Sequence, residues 1–456
     1  MIVYSESVRD DCKVGHVHHR QYCRERVAVG EAQWGRIRVD RKSDAKHTQR
    51  PMSAHARIDA IDFWRGFALL TIFADHMPYS ALAQVTHRNF GLSDAAEAFV
   101  FLSGMSAALA YGPRFLGGRI VAGLRAVGRR LLTLYGVQVL LTFLALGIVA
   151  LIALLVDDDV MEDEDRLVLS NPGRGVLAIL GLAHQIDYSN ILPLYIVLLS
   201  ATPGLIMLAR LDERLMLAAS AAVYLLARAC SLNIPTWPAE DGWFFNPFAW
   251  QLLFTIGLFV GLRLKAATHF KSAAPFNGGL FAMCLAVLLL SALIVTNGFG
   301  LVPGLWDGVR GNLDDDKRVL GIARLVHFLA LAYVVHYSGL TQLLRRTAIF
   351  APLCLIGLHS LPVFATGAIL CTIGMAVMDK DWPGMPYSLI VLAGGLAIHY
   401  LVASYLSTRS ESQRNRIVID RPAGGYLGAG IVSGAVRASP PPILSSRRSA
   451  HTDGFT

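Results

Sequence analysis

Apolar residues run in blocks of about 20 along most of this chain, separated by short polar stretches. A block of that length matches an α-helix crossing the hydrocarbon core of a bilayer, ~30 Å at ~1.5 Å per residue. Ten blocks can be marked, at roughly 58–77, 94–112, 131–155, 190–209, 214–230, 247–263, 277–297, 319–338, 350–378 and 386–407. They predict an all-α fold, a polytopic transmembrane helical bundle. A further block at 175–186 is apolar but too short to span, which suits an interfacial or re-entrant helix. Residues 231–246 are rich in Trp and Phe; Trp237, Trp243 and Phe244 there suit either the membrane interface or a platform for a sugar.

The flanks differ in kind. Residues 1–56 are basic, rich in His and without periodicity, and residues 408–456 are polar with a run of Pro440 to Pro442. Both read as disordered tails around a membrane domain at 57–407, with Met52 a candidate start ahead of the first patterned residues. An apolar share of 54%, a charged share of 16% and a mean hydropathy of +0.48 exclude an ordinary soluble domain. The net charge of +8 changes the picture only in its placement. With the N-terminus inside, the inner short loops hold twelve Lys and Arg against seven outside, so the bias orients both termini inward and calls for no nucleic acid. Six cysteines show no framework or zinc spacing, so no metal site is expected from them. Acidic runs at 157–159 and 314–316 lack the glycine-punctuated loop of a calcium site and read as solvated faces.

Charge inside the spans is the exception, and it concentrates in the first two. Arg65 and His76 are about three helical turns apart, so they share one face ~16 Å apart along the axis, with Asp62 placed to pair with Arg65. With the N-terminus inside, Arg65 lies toward the cytosol and His76 toward the outer surface. Asp94 and Glu97 open the second span at the level where His76 ends the first. His76 as a general base, with Glu97 or Asp94 fixing its tautomer, is the chemistry this pattern offers. Later spans add Arg324 as a cation for an anion, with His327 and His359 as further polar groups.

Several of these stretches resemble the OpgC family. They are RIDAIDFWRGFALLTIFADHMP (Arg57–Pro78), DAAEAFVFLSG (Asp94–Gly104), ILPLYIVLL (Ile191–Leu199), FNPFAWQLLFTIGLFVG (Phe245–Gly261) and HSLPVF (His359–Phe364). The spacing of Arg65 and His76 also looks like that of the wider membrane acyltransferase group, whose histidine is taken as catalytic. The resemblance implies a multi-pass protein of the bacterial inner membrane. It would move a succinyl group from succinyl-CoA, a co-substrate and not a resident cofactor, onto hydroxyls of a periplasmic glucan. Arg65, Arg324, His327, His359 and Trp243 are then candidates for substrate binding, and Arg129 and Arg130 for the coenzyme phosphates. The rival reading is a transporter or flippase of glycans or anionic solutes, since intramembrane charge also marks substrate paths. Against it, no internal repeat is visible.

Overall fold

The computed structural model describes residues 54–80, 82–155, 161–266, 275–300, 307–377 and 385–419, and every regular element among them is helical. The tails expected to be disordered lie largely outside these residues, as do Asp157 to Asp159. The chain divides into two units, Met1–Thr408 and Arg409–Thr456; of the second, only the end of one helix is described.

The main helices are α1 (Ala54–His76), α2 (Ala95–Leu116), α3 (Ile120–Leu155), α4 (Asp163–Ser170), α5 (Pro172–Leu180), α6 (Ile191–Leu211), α7 (Glu213–Ala229), α8 (Pro247–Ala266), α9 (Gly278–Val295), α10 (Ile322–Tyr337), α11 (Phe350–Leu358), α12 (Ser360–Val377) and α13 (Met385–Ile419). Among the described residues, seven helices are long and apolar enough to cross a membrane: α2, α3, α6, α8, α9, α12 and α13. The other three expected spans are also helical. However, α1 carries charge along its length, and α7 and α10 have 17 and 16 residues. Length and composition therefore give seven spans where the apolar pattern suggested ten.

Two departures from the expected boundaries have local causes. The block at 350–378 is broken at His359 into α11 and α12. Pro362 has no N–H to give the carbonyl four residues back, and its ring crowds that carbonyl, which favours a break after Leu358. The other concerns α3, which starts at Ile120, well before the apolar block. Arg125, Arg129 and Arg130 are thus on a helix and not in a basic loop.

Two close helix crossings hold the bundle together. At the α2–α8 crossing a Cβ on Gly104 would overlap the Phe254 carbonyl, and one on Gly257 the Phe101 carbonyl. The α1–α11 crossing repeats the device with Gly66 on Leu353 and Gly357 on Asp62. Without side chains at these points the backbones touch, which is how helices gain contact area where no water is expelled. Beyond the break, α12 continues beside α1 in the same direction, Cys371 Sγ lying 3.8 Å from the Phe73 carbonyl and Gly374 against Met77. Helix α13 returns in the opposite sense: Gly395 and His399 pack on Phe73, and Ser407 reaches His359. Large aromatic side chains fill the middle, with Trp250, Phe63, Phe73, Phe115 and Phe254 fully buried. Beside them α4 and α5 form a hairpin on α3, where Val168 and Ile179 pack with Leu146 and the Tyr135 hydroxyl donates to the Leu180 carbonyl at 2.7 Å.

Candidate active site

His76 is the last residue of α1. Its Nδ1 stands 2.8 Å from the Ile72 carbonyl, one turn back on the same helix. A carbonyl oxygen can only accept, so Nδ1 carries the proton and the neutral ring leaves Nε2 with a free lone pair. The ring edge is held by Tyr188, whose ring lies T-shaped against it with centroids 5.1 Å apart. Tyr188 is buried in the turn before α6 and stacks in turn on Phe364 of α12. Three helices therefore fix one imidazole.

The two carboxylates expected to orient that imidazole are engaged elsewhere. Asp94 is the N-cap of α2: its side chain accepts from the Ala96 N–H, and its own N–H donates to Glu97 Oε2, both at 2.8 Å. Arg324, from α10, then reaches across, donating from Nε to Glu97 Oε1 at 2.7 Å and from Nη2 to Asp94 Oδ2 at 3.1 Å. Lys317 Nζ completes the group, 2.7 Å from Asp94 Oδ2 and 5.5 Å from the centroid of the Phe245 ring. Two carboxylates and two cations balance here, which is what makes a fully buried Glu97 tolerable. The expectation that Glu97 or Asp94 sets the His76 tautomer is thus corrected: the Ile72 carbonyl does so, because α1 supplies an acceptor one turn away and the cations claim the carboxylates. Asp94 and Lys317 still stand within electrostatic reach of the imidazole. Asp75, next to His76 in sequence, accepts from Thr86 Oγ1 at 2.7 Å and so ties down the loop that leads to α2.

Arg324 was expected as a cation awaiting an anion, and it is already paired twice. Arg65 is similarly committed. Its Nη1 lies 3.4 Å from Asp62 and 3.1 Å from the Gly357 carbonyl, and Nη2 donates to Ser106. This arginine joins α1, α2 and α11. Its pairing with Asp62 is the one the helical spacing predicted.

The remaining candidates fall at two levels. His327 is buried on α10 with Nδ1 2.8 Å from Ser93 Oγ, at the end of the bundle where His76 lies. His359 is at the opposite end, level with Arg65, its Nε2 2.7 Å from Ser407 Oγ. Trp243 is buried in the segment before α8, its indole N–H without a hydrogen-bond partner, so its ring offers no open face for a sugar. Phe244 beside it is exposed. On α3, Arg129 is exposed and Arg130 half-buried. Among the described residues no group of three or more His, Cys, Asp or Glu is placed to hold a metal ion.

Sequence reasoning passed over Tyr188, Lys317, Ser93 and Ser106. A tyrosine at a span edge and a lysine in an acidic loop look interfacial; only contacts between distant segments give them a place. The carbonyl at position i−4 from His76 was available as a signal, because it follows from helix geometry alone.

A model of the family described as OpgC protein matches residues 57–411. No curated protein and no solved structure matches the chain.

Proposed function

The chain belongs to the OpgC family, a group of membrane acyltransferase type, and from that premise we propose that it moves a succinyl group from succinyl-CoA onto hydroxyls of a periplasmic glucan. In this reading the protein crosses the bacterial inner membrane ten times with both termini in the cytosol. The observation that carries the chemistry is the fixed tautomer of His76, with Nδ1 bonded to Ile72 and Nε2 left as a base. A neutral imidazole suits proton transfer from a hydroxyl near neutral pH.

Transfer is direct, without an acyl-enzyme. Nε2 of His76 takes the hydroxyl proton as the sugar oxygen attacks the thioester carbonyl, and a C–O bond forms. The oxyanion collapses, the C–S bond breaks, and the imidazolium returns its proton to the departing thiolate, leaving the free thiol of coenzyme A and a neutral His76. Asp94, Glu97, Arg324 and Lys317 support this by fixing the start of α2 and its loop beside the base.

The test is mass spectrometry of envelope glucans from a deletion strain complemented with wild type or His76→Ala. Wild type is expected to restore succinyl substituents and the variant to leave the glucans bare, a loss of about 10²-fold or more in transfer. Equal restoration by both would remove His76 as the base. Unchanged glucans with altered glycan export would instead favour a transporter.

A further inference from the structure

The arginines of this bundle differ in how their N–H groups are used. Arg65 is bonded to Asp62, Gly357 and Ser106, and Arg324 to Glu97 and Asp94. Arg345 is not used in that way. It follows a short helix, Leu340–Leu344, which the Trp64 indole N–H pins to α1 by donating to Thr341 Oγ1 at 3.1 Å. Its guanidinium carbon lies 5.0 Å from the centroid of Phe350, which stacks on Phe63 of α1 at 4.7 Å. The ion pair that it makes, Nη1 to Asp59 Oδ2, spans 3.7 Å and is too long for a hydrogen bond. Nε and Nη2 are buried and have no hydrogen-bond partner.

Nε and Nη2 together form one edge of the guanidinium, with two parallel N–H bonds that match two oxygens of a carboxylate or phosphate. Leaving such an edge unbonded is costly, so it calls for an acceptor. The stack on Phe350 holds the plane, and the side chain as a whole is 25% exposed, so the guanidinium lies just beneath the surface. Arg346, exposed and next in sequence, adds positive charge outside it.

Position decides which anion fits. Asp59, beside Arg345, and His76 stand about 25 Å apart along the axis of α1. A carboxylate on the acyl group lies a few bonds from the thioester carbonyl. With the thioester at His76 it cannot reach Arg345, whereas a phosphate at the far end of a long donor can. We propose that the Nε–Nη2 edge of Arg345 binds a phosphate group at the nucleotide end of the acyl-CoA donor, an inference that rests on the donor named above.

The experiment uses the full chain in nanodiscs of zwitterionic lipid, with binding of coenzyme A and of inorganic pyrophosphate measured by calorimetry. Arg345→Gln is expected to weaken coenzyme A by about 10- to 100-fold. Arg345→Lys, which keeps the charge but loses the paired donors, falls between, and Arg346→Gln stays near wild type. Unchanged thermal midpoints separate a lost ligand contact from a lost fold, and the Lys variant serves if the Gln variant does not fold. Wild-type affinity for coenzyme A in both Arg345 variants overturns the inference and leaves the donor reading standing. Pyrophosphate binding that depends on Arg345, without any coenzyme A binding, keeps the phosphate site and removes the donor. Binding of neither probe overturns both. In discs with anionic lipid, a fall of the wild type to the level of Arg345→Gln assigns the edge to a lipid headgroup and overturns the donor's claim on it.

Discussion

A carboxylate with no exposed surface needs a reason, and Glu97 has two: the Asp94 N–H that it caps and the Arg324 Nε that it accepts from. Removing one partner of such a group strands the other charge away from water. Glu97→Gln is therefore expected to lower stability by about 3 kcal/mol, read from thermal unfolding in detergent. The double variant Glu97→Gln with Arg324→Met should lose less than the sum of the two single changes, and strict additivity would mean the pair is not coupled. Tyr188 can be tested on the same scale. Its contact with His76 is made by the ring, so Tyr188→Phe should keep transfer within about threefold of wild type, while Tyr188→Ala lets the imidazole swing and costs about 10²-fold in kcat. A large loss in Tyr188→Phe would show that the hydroxyl, and not the ring edge, does the work.

Single helices show the same dependence on close contact. Gly104 of α2 faces the backbone of α8, and a larger residue there has no room without separating the helices. Gly104→Val is expected to destabilise by more than ~3 kcal/mol or to abolish accumulation in the membrane. Gly136, on α3, has open space around its Cα. Gly136→Ala should leave the thermal midpoint unchanged or raise it, by up to ~1 kcal/mol, since alanine is the better helix former. If both variants behave alike, the α2–α8 crossing is not set by that glycine. Elements that mix charge with apolar length, as α1 does, depend on neighbours in another way. Asp62 and Arg65 satisfy each other across one turn, and α11 lends the Gly357 carbonyl as a further acceptor.

For the molecule as a whole, orientation in the membrane can be tested directly. With both termini in the cytosol, the turn between α2 and α3 faces inward, and the α4–α5 turn faces the periplasm. In a background with all six native cysteines replaced, a cysteine at Asn171 should react with a membrane-impermeant maleimide in intact cells, and one at Gly118 only after lysis. The reverse pattern would invert the protein. It would also place His76 in the cytosol, away from any periplasmic acceptor.

The linear pattern determined the all-helical class, the approximate position of every long helix and the pairing of Asp62 with Arg65. Each of these follows from local rules of helix period and bilayer thickness. It also marked the first two charged spans as the centre, because charge in an apolar run has no other easy explanation. Only the tertiary structure decided which charges meet. Arg324 lies 227 residues from Glu97 in the chain, and Gly357 lies 292 from Arg65, so no spacing rule could join them. The helix break at His359 depends on a proline that sequence alone could have flagged; what the break achieves, a backbone crossing at Gly357, depends on α1 being there. His76 shows the division most plainly. Its identity was legible in the sequence, but its orienting partner was assigned to carboxylates at the same depth, because depth is all that span ends provide. The fold gave those carboxylates to Arg324 and Lys317 and left the histidine to its own helix, since a buried charge is paired before a neutral ring is served.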